Sequence, residues 1–226
     1  MFKVISFDLF LTLADLDARV PILWERIFEK PLTSEEINAH ADALRACYMP
    51  HYHDLYQPPF QTMEKVFYDA FVCYFGEIGC DADPVRATKI FLEEHNRCPI
   101  YPDARRILER LQGKYRVILS TDADLSMVGE LLPQIPHEMA FVSEAMGVYK
   151  SNAESAFFRE VLEKTGVQPE EILHVGDGRP DIIGARRSGI PVFHIDRKGK
   201  GLPADFGYSP DYRGASLDEL SELLGV

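Results

Sequence analysis

Four short runs of β-branched and aromatic residues, at 116–120, 139–143, 172–176 and 191–195, alternate with helical segments of about ten residues. No other feature narrows the fold as much. The intervening helical patterns fall at 103–112, 153–165 and 181–188, and a last one covers 216–224. A fifth run, Lys-Val-Ile-Ser-Phe at 3–7, stands apart at the N-terminus. Parallel strands need a crossover connection, and a helix of this length supplies one. The spacing therefore predicts an α/β fold: a doubly wound, three-layer, Rossmann-like sheet of about five parallel strands.

Between the first run and the rest, the rhythm breaks. Four helical patterns follow one another with no strand between them. The clearest places Phe60, Met63, Phe67, Phe71 and Tyr74 at three- and four-residue spacing, which makes one apolar helix face. Pro58 and Pro59 open it and Gly76 and Gly79 close it. Asp83-Pro84 starts the next, which runs to about Arg97. The division that follows is an α/β core of residues 1–14 and 99–226, with an all-helical cap domain of residues 15–98 inserted after the first strand.

Composition removes whole classes of function. The 226 residues hold 24 Lys+Arg against 36 Asp+Glu, a net charge of −12. A nucleic-acid surface needs clustered cations, so that partner is not expected. The basic cluster Arg197-Lys198-Gly199-Lys200 reads as a solvated loop. No stretch approaches the ~18 apolar residues of a membrane span. The carboxylate of Asp8 comes too early for a signal peptide, so the expected location is the cytoplasm. Cys47, Cys73, Cys80 and Cys98 form no CxxC pair and read as buried or partly buried free thiols.

In open parallel sheets, ligands gather outside the carboxyl ends of the strands. Here each such end carries a reactive residue. Asp8 ends the first strand, Ser120 and Thr121 the second, and Asp177 the 172–176 strand, while Lys150 follows the third strand through Gly147-Val148-Tyr149. Two carboxylates brought together are costly unless a cation lies between them. Hard oxygen ligands beside a phosphorylated substrate favour Mg²⁺.

The order of these motifs resembles the haloacid dehalogenase superfamily of hydrolases over almost the whole chain. The matching segments are Phe7-Asp8-Leu9-Phe10-Leu11-Thr12-Leu13, Val117-Ile118-Leu119-Ser120-Thr121, Gly147-Val148-Tyr149-Lys150 and Val175-Gly176-Asp177-Gly178-Arg179-Pro180-Asp181. The resemblance implies that Asp8 is a nucleophile forming an aspartyl intermediate, steadied by Lys150, with Ser120 donating to the transferred group. It also implies Mg²⁺ held by Asp8, the Phe10 main-chain carbonyl, Asp177 and Asp181. Thr12 and Thr121 would support the substrate site. The substrate would be a small phosphorylated metabolite, and the chain a monomer or homodimer with no membrane or nucleic-acid partner.

The same resemblance exposes a departure. Phosphatases of the superfamily usually carry a general-acid aspartate where this chain has Phe10, and a glycine where it has Leu11. After Lys150 the usual Pro-Asp-Pro is Ser151-Asn152-Ala153. Haloacid dehalogenases place an aromatic tyrosine at the Phe10 position, because halide leaves unprotonated. Dehalogenation through an Asp8 ester is therefore the alternative, although Gly176-Asp177-Gly178-Arg179-Pro180-Asp181 has the metal-binding phosphatase form. A third reading is a catalytically impaired binding protein. If the phosphatase reading holds, a missing acid selects phosphoryl donors with weakly basic leaving groups.

The cap segment 48–56 is rich in rings and imidazoles. One reading makes it a substrate lid, with His51 or His53 as replacement acid and Arg45 as anion clamp; the other makes it a packed loop. Trp24 reads as cap core, and His174 as a strand residue facing a helix.

Overall fold

The computed structural model of the chain describes residues 1–52, 59–202 and 207–226, without the side chains of residues 50–52. Six strands form one sheet: β1 (Val4–Phe7), β2 (Arg116–Thr121), β3 (Met139–Val142), β4 (Ile172–Gly176), β5 (Val192–Ile195) and β6 (Tyr212–Gly214). All pairings are parallel and the spatial order is β3-β2-β1-β4-β5-β6. The chain winds outward from β1 in both directions, so the crevice between β1 and β4 is the topological switch point. Every residue of β1 and β4 is fully buried, as expected of strands covered by helices on both faces.

The core helices are α5 (Pro102–Leu111), the single turns α6 (Leu125–Val128) and α7 (Ser143–Met146), then α8 (Ala156–Thr165), α9 (Arg179–Arg187) and α10 (Leu217–Leu224). Two start away from their predicted residues, for local reasons. In front of α8, Asn152 Oδ1 accepts the amides of Glu154 and Ala156, and Ser155 turns left-handed at φ 56°, so the helix begins at Ala156. α9 begins two residues early because Asp181 reaches back to the Gly178 amide and Pro180 suits a first helical turn. The sixth strand was not foreseen. Its three residues lack any alternation, and its place on the sheet edge comes from tertiary pairing with β5.

The cap consists of α1 (Val20–Phe28), α2 (Ser34–Tyr52), α3 (Met63–Ile78) and α4 (Pro84–Asn96), inserted between β1 and β2. Trp24 is buried at its centre against Phe28, His40, Phe71 and Tyr74. Phe67 stacks on Phe91 with centroids 3.8 Å apart. Phe60 falls outside the helix predicted through it. Thr62 caps α3, accepting the Lys65 amide at 3.2 Å, and Phe60 packs instead on Tyr149 of the core. Buried Glu94 gathers Arg19, Arg26 and Arg97 into one ion network.

Cap and core share one apolar cluster, and a polar latch joins them. The carboxylate of Asp124, buried before α6, accepts the amides of Met63 at 2.8 Å and Glu64 at 2.7 Å. These are orphan donors at the start of α3, so a core residue caps a cap helix. Among the described residues, no helix is long and apolar enough to cross a membrane.

Candidate active site

Register places the reactive groups. Phe7 pairs with Leu119 on one side and Val175 on the other, so the next residues, Asp8, Ser120 and Gly176, emerge side by side at the strand ends. The Asp8 amide donates to the Val175 carbonyl at 2.8 Å. Lys150 comes in from the loop after α7, where Gly147 turns the chain at φ 65° and the Lys150 amide donates to Asp122 Oδ1 at 2.8 Å. Two glycines make the approach possible. A Cβ on Gly176 would lie 2.2 Å from Asp181 Cγ, and one on Gly184 would lie 2.1 Å from the Lys150 carbonyl oxygen. Their spacing around Asp177 and Asp181 therefore reflects close packing of α9 under the site.

The Lys150 ammonium lies 2.6 Å from Asp8 Oδ1 and 2.5 Å from Asp181 Oδ1. Asp181 Oδ1 also meets His174 Nε2 at 2.9 Å, and Asp181 Oδ2 accepts the Gly178 amide at 3.0 Å. Asp181 thus both caps α9 and holds Lys150. The line continues below: His174 Nδ1 is 2.9 Å from Ser6 Oγ, which donates to Ser120 Oγ at 2.9 Å. His174 is therefore part of the site's support as well as a strand residue. What would have signalled it is its register opposite Ser6, on the strand next to Asp8.

Charge is concentrated here. The carboxylates of Asp8, Asp177 and Asp181 bring ligand atoms within 4.8 Å of one another. Burial, with Asp181 adding to it, raises the Asp8 carboxyl above its ordinary range despite Lys150. Burial and then Asp8 and Asp181 push Asp177 well up. Burial opposes the Lys150 charge, but Asp181, Asp8 and Asp122 outweigh it and hold the ammonium protonated. For Asp181, Lys150 and His174 outweigh burial and keep the carboxyl ionised. Among the described residues, the three carboxylates outnumber the one ammonium bonded to them, and the donor set is all oxygen: the residues fit a hard divalent cation. Among the described residues no donor bonds the Phe10 carbonyl, whereas those of Leu9, Leu11, Thr12 and Leu13 are all engaged.

Above the site lies a cavity of about 170 Å³, walled by Phe10, Asp122 and Met127 from the core and Tyr48, Met63, Val66, Phe67 and His95 from the cap. Phe10 meets His95 edge to face with centroids 4.9 Å apart. Burial lowers His95 to about 4, so it is a neutral imidazole at pH 7, and its Nδ1 bonds the Phe91 carbonyl at 2.8 Å. Asp122 directly follows the Ser120-Thr121 motif and carries no motif signal of its own. Burial raises it to about 7, and among the described residues its Oδ2 has no partner.

The remaining candidates divide. Thr12 and Thr121 are buried, and among the described residues their hydroxyls have no partner. Arg45 is exposed on α2 and does not line the cavity. The side chains of His51 and His53 lie outside the described residues. Arg197 corrects the reading of its cluster as a solvated loop: it pairs with Asp103 and donates to the carbonyls of Leu11 and Thr12, clamping the loop behind Asp8. That loop holds Leu11 in the left-handed region at φ 62°, a conformation that glycine adopts at less cost.

A family model for haloacid dehalogenase-like hydrolases matches residues 2–189. The chain belongs to that family. Among curated relatives, a phosphoglycolate phosphatase of Vibrio parahaemolyticus is 29% identical over 140 residues, covering 58% of this chain and 59% of that one. A glyceraldehyde 3-phosphate phosphatase of Methanopyrus kandleri is 37% identical over 91 residues, covering 40% and 37%. The match thus spans less than two thirds of these relatives. Among solved structures, the magnesium-bound hydrolase YfnB of Bacillus subtilis superposes with a TM-score of 0.82 at 20% identity, covering 100% of this chain and 99% of that one. The L-2-haloacid dehalogenase of Xanthobacter autotrophicus gives 0.76 at 19%, covering 100% and 99%. At these identities both show the fold alone.

Proposed function

We propose that the chain is a Mg²⁺-dependent phosphohydrolase acting on a small phosphorylated metabolite through a phospho-Asp8 intermediate. The observation that carries this reading is the trio Asp8, Asp177 and Asp181, two of them bonded to the Lys150 ammonium. Asp8, the Phe10 carbonyl and Asp177 would hold the ion, and Asp181, with both oxygens engaged, would act chiefly by fixing Lys150. Bound there, the ion supplies the positive charge that lets an anionic group approach three carboxylates. The proposal keeps the core at residues 1–14 and 99–226 and the cap at 15–98.

In this scheme Asp8 attacks phosphorus with one oxygen while Lys150 holds the other, and the bond to the leaving group breaks. The acyl phosphate formed is then opened by water, which regenerates the carboxylate and releases phosphate. Ser120 and Thr121 would orient the transferred group from the β2 end. General acid catalysis contributes about 10²–10⁴-fold where it operates. Phe10 cannot supply it, so acyl phosphates, anhydrides and aryl phosphates are the preferred class, and sugar phosphates poor substrates.

Dehalogenation remains the second reading, favoured by the ring at Phe10 and its apolar setting. One assay separates the two. The protein is given an aryl phosphate with and without Mg²⁺, and separately a 2-chloro acid. Phosphate release that needs Mg²⁺ supports the proposal. Chloride release without phosphate release overturns it.

A further inference from the structure

The cap carries a second constellation that the reaction at Asp8 does not use. Cys47 of α2 is buried, Cys73 of α3 is exposed, and their sulfurs lie 2.7 Å apart. Unbonded carbon atoms settle at roughly 3.5–4.0 Å, and sulfur is the larger atom. A disulfide bond is about 2 Å long. The pair therefore stands nearer to a bond than to a packing contact. Glu77, one helical turn after Cys73, places one carboxylate oxygen 3.6 Å from the Cys47 sulfur and the other 3.9 Å from the Cys73 sulfur.

We propose that Cys47 and Cys73 are a redox-active pair that closes a reversible disulfide across the cap, with a low-molecular-weight disulfide of the glutathione type as oxidant. Exposure assigns the first attack to Cys73. Its thiolate attacks one sulfur of the small disulfide, that bond breaks, and one small thiolate leaves. Cys47 then loses its proton to a solvent base as its sulfur attacks the Cys73 sulfur. The mixed bond breaks and the second small thiolate leaves. Two protein thiols are oxidised and one small disulfide is reduced to two thiols. Burial, and then the neighbouring sulfur, push the Cys47 thiol up and keep it protonated until its turn comes.

The same three residues are a thiophilic ligand set, but the spacing disfavours a metal. Two thiolates about 2.3 Å from one tetrahedral zinc ion stand roughly 3.8 Å apart, well beyond the separation here. The bond would also matter to the cavity. It closes the segment between 47 and 73 into a loop, and Tyr48, Met63, Val66 and Phe67 of the cavity wall lie in that segment. Oxidation would pin α2 to α3 and with them most of the cap's share of the wall.

The test uses the reduced 226-residue chain, equilibrated with oxidised glutathione, then alkylated and mapped by mass spectrometry. The expected result is a fall from four free thiols to two, a mass lower by two hydrogen atoms, and a linked pair of peptides bearing Cys47 and Cys73. Dithiothreitol should reverse it, and the oxidised form should melt several degrees higher. Cys47→Ser should stop at glutathione attached to Cys73, and Cys73→Ser should show neither the link nor the rise in Tm. Four thiols persisting under oxidation, a link between other cysteines, or stoichiometric zinc held by the pair would overturn the proposal. Mapping of the wild-type chain decides the matter even if a variant fails to fold.

Discussion

Phe10 packs edge to face on His95, so at the position where a proton donor would face the substrate, the core presents a ring to a ring of the cap. His95 is neutral there and its Nδ1 is committed to its own helix. Among the described residues, the contact leaves no acid at the tip of the loop that carries Asp8. Phe10→Asp should therefore raise turnover of a sugar phosphate by about 10²-fold, with acetyl phosphate changing less than a few-fold. Steady-state kinetics on the two substrates checks this, and an equal gain on both would contradict the role given to Phe10.

The buried Lys150 ammonium bonds both Asp8 and Asp181. Lys150→Met should abolish phosphate release and cost about 3–5 kcal/mol, because it strands Asp8 and Asp181 without their partner. Urea unfolding measures the second effect separately from the first. Retained activity would remove Lys150 from the mechanism.

Asp122 makes stability depend on pH. Its folded-state pKa of about 7 lies above the ordinary carboxylate value, so between about pH 4 and 7 the folded state binds more protons than the unfolded one. Stability from this group is fully present below that window and is lost as pH rises through it. Asp122→Asn keeps an acceptor for the Lys150 amide and removes the titration. The variant should exceed wild type by more than about 1 kcal/mol at pH 8 and match it near pH 4. Paired denaturation curves at the two pH values test the sign.

Asp124 should act on the cap rather than on the chemistry. Asp124→Ala removes the cap of α3 supplied by the core, at a cost of about 1 kcal/mol. Hydrogen exchange at the Met63 and Glu64 amides should speed up markedly. KM should change more than kcat.

Much of this was legible in the chain. Alternating strand and helix patterns gave the parallel sheet, and the strand ends singled out Asp8, Ser120, Asp177 and Lys150 as candidates, because a parallel topology gathers those ends. The edge strand Tyr212–Gly214 was not legible, since its pairing with β5 has no local signal. Nor was the work of Arg197, whose partners Asp103, Leu11 and Thr12 are remote in sequence. Asp122 was hidden for another reason. A carboxylate after a strand reads as a solvated turn residue until burial is known, and only the fold supplies the burial.

The central claim is that water opens a phospho-Asp8, and a single turnover in water labelled with heavy oxygen tests it most directly. Enzyme in excess over an aryl phosphate, with Mg²⁺ present, is quenched and both products are weighed by mass spectrometry. Attack of water on phosphorus predicts that the label appears in the released phosphate and that the peptide carrying Asp8 stays unlabelled. Label in the Asp8 peptide would mean that water attacks the carboxyl carbon of an Asp8 ester, and would contradict the account.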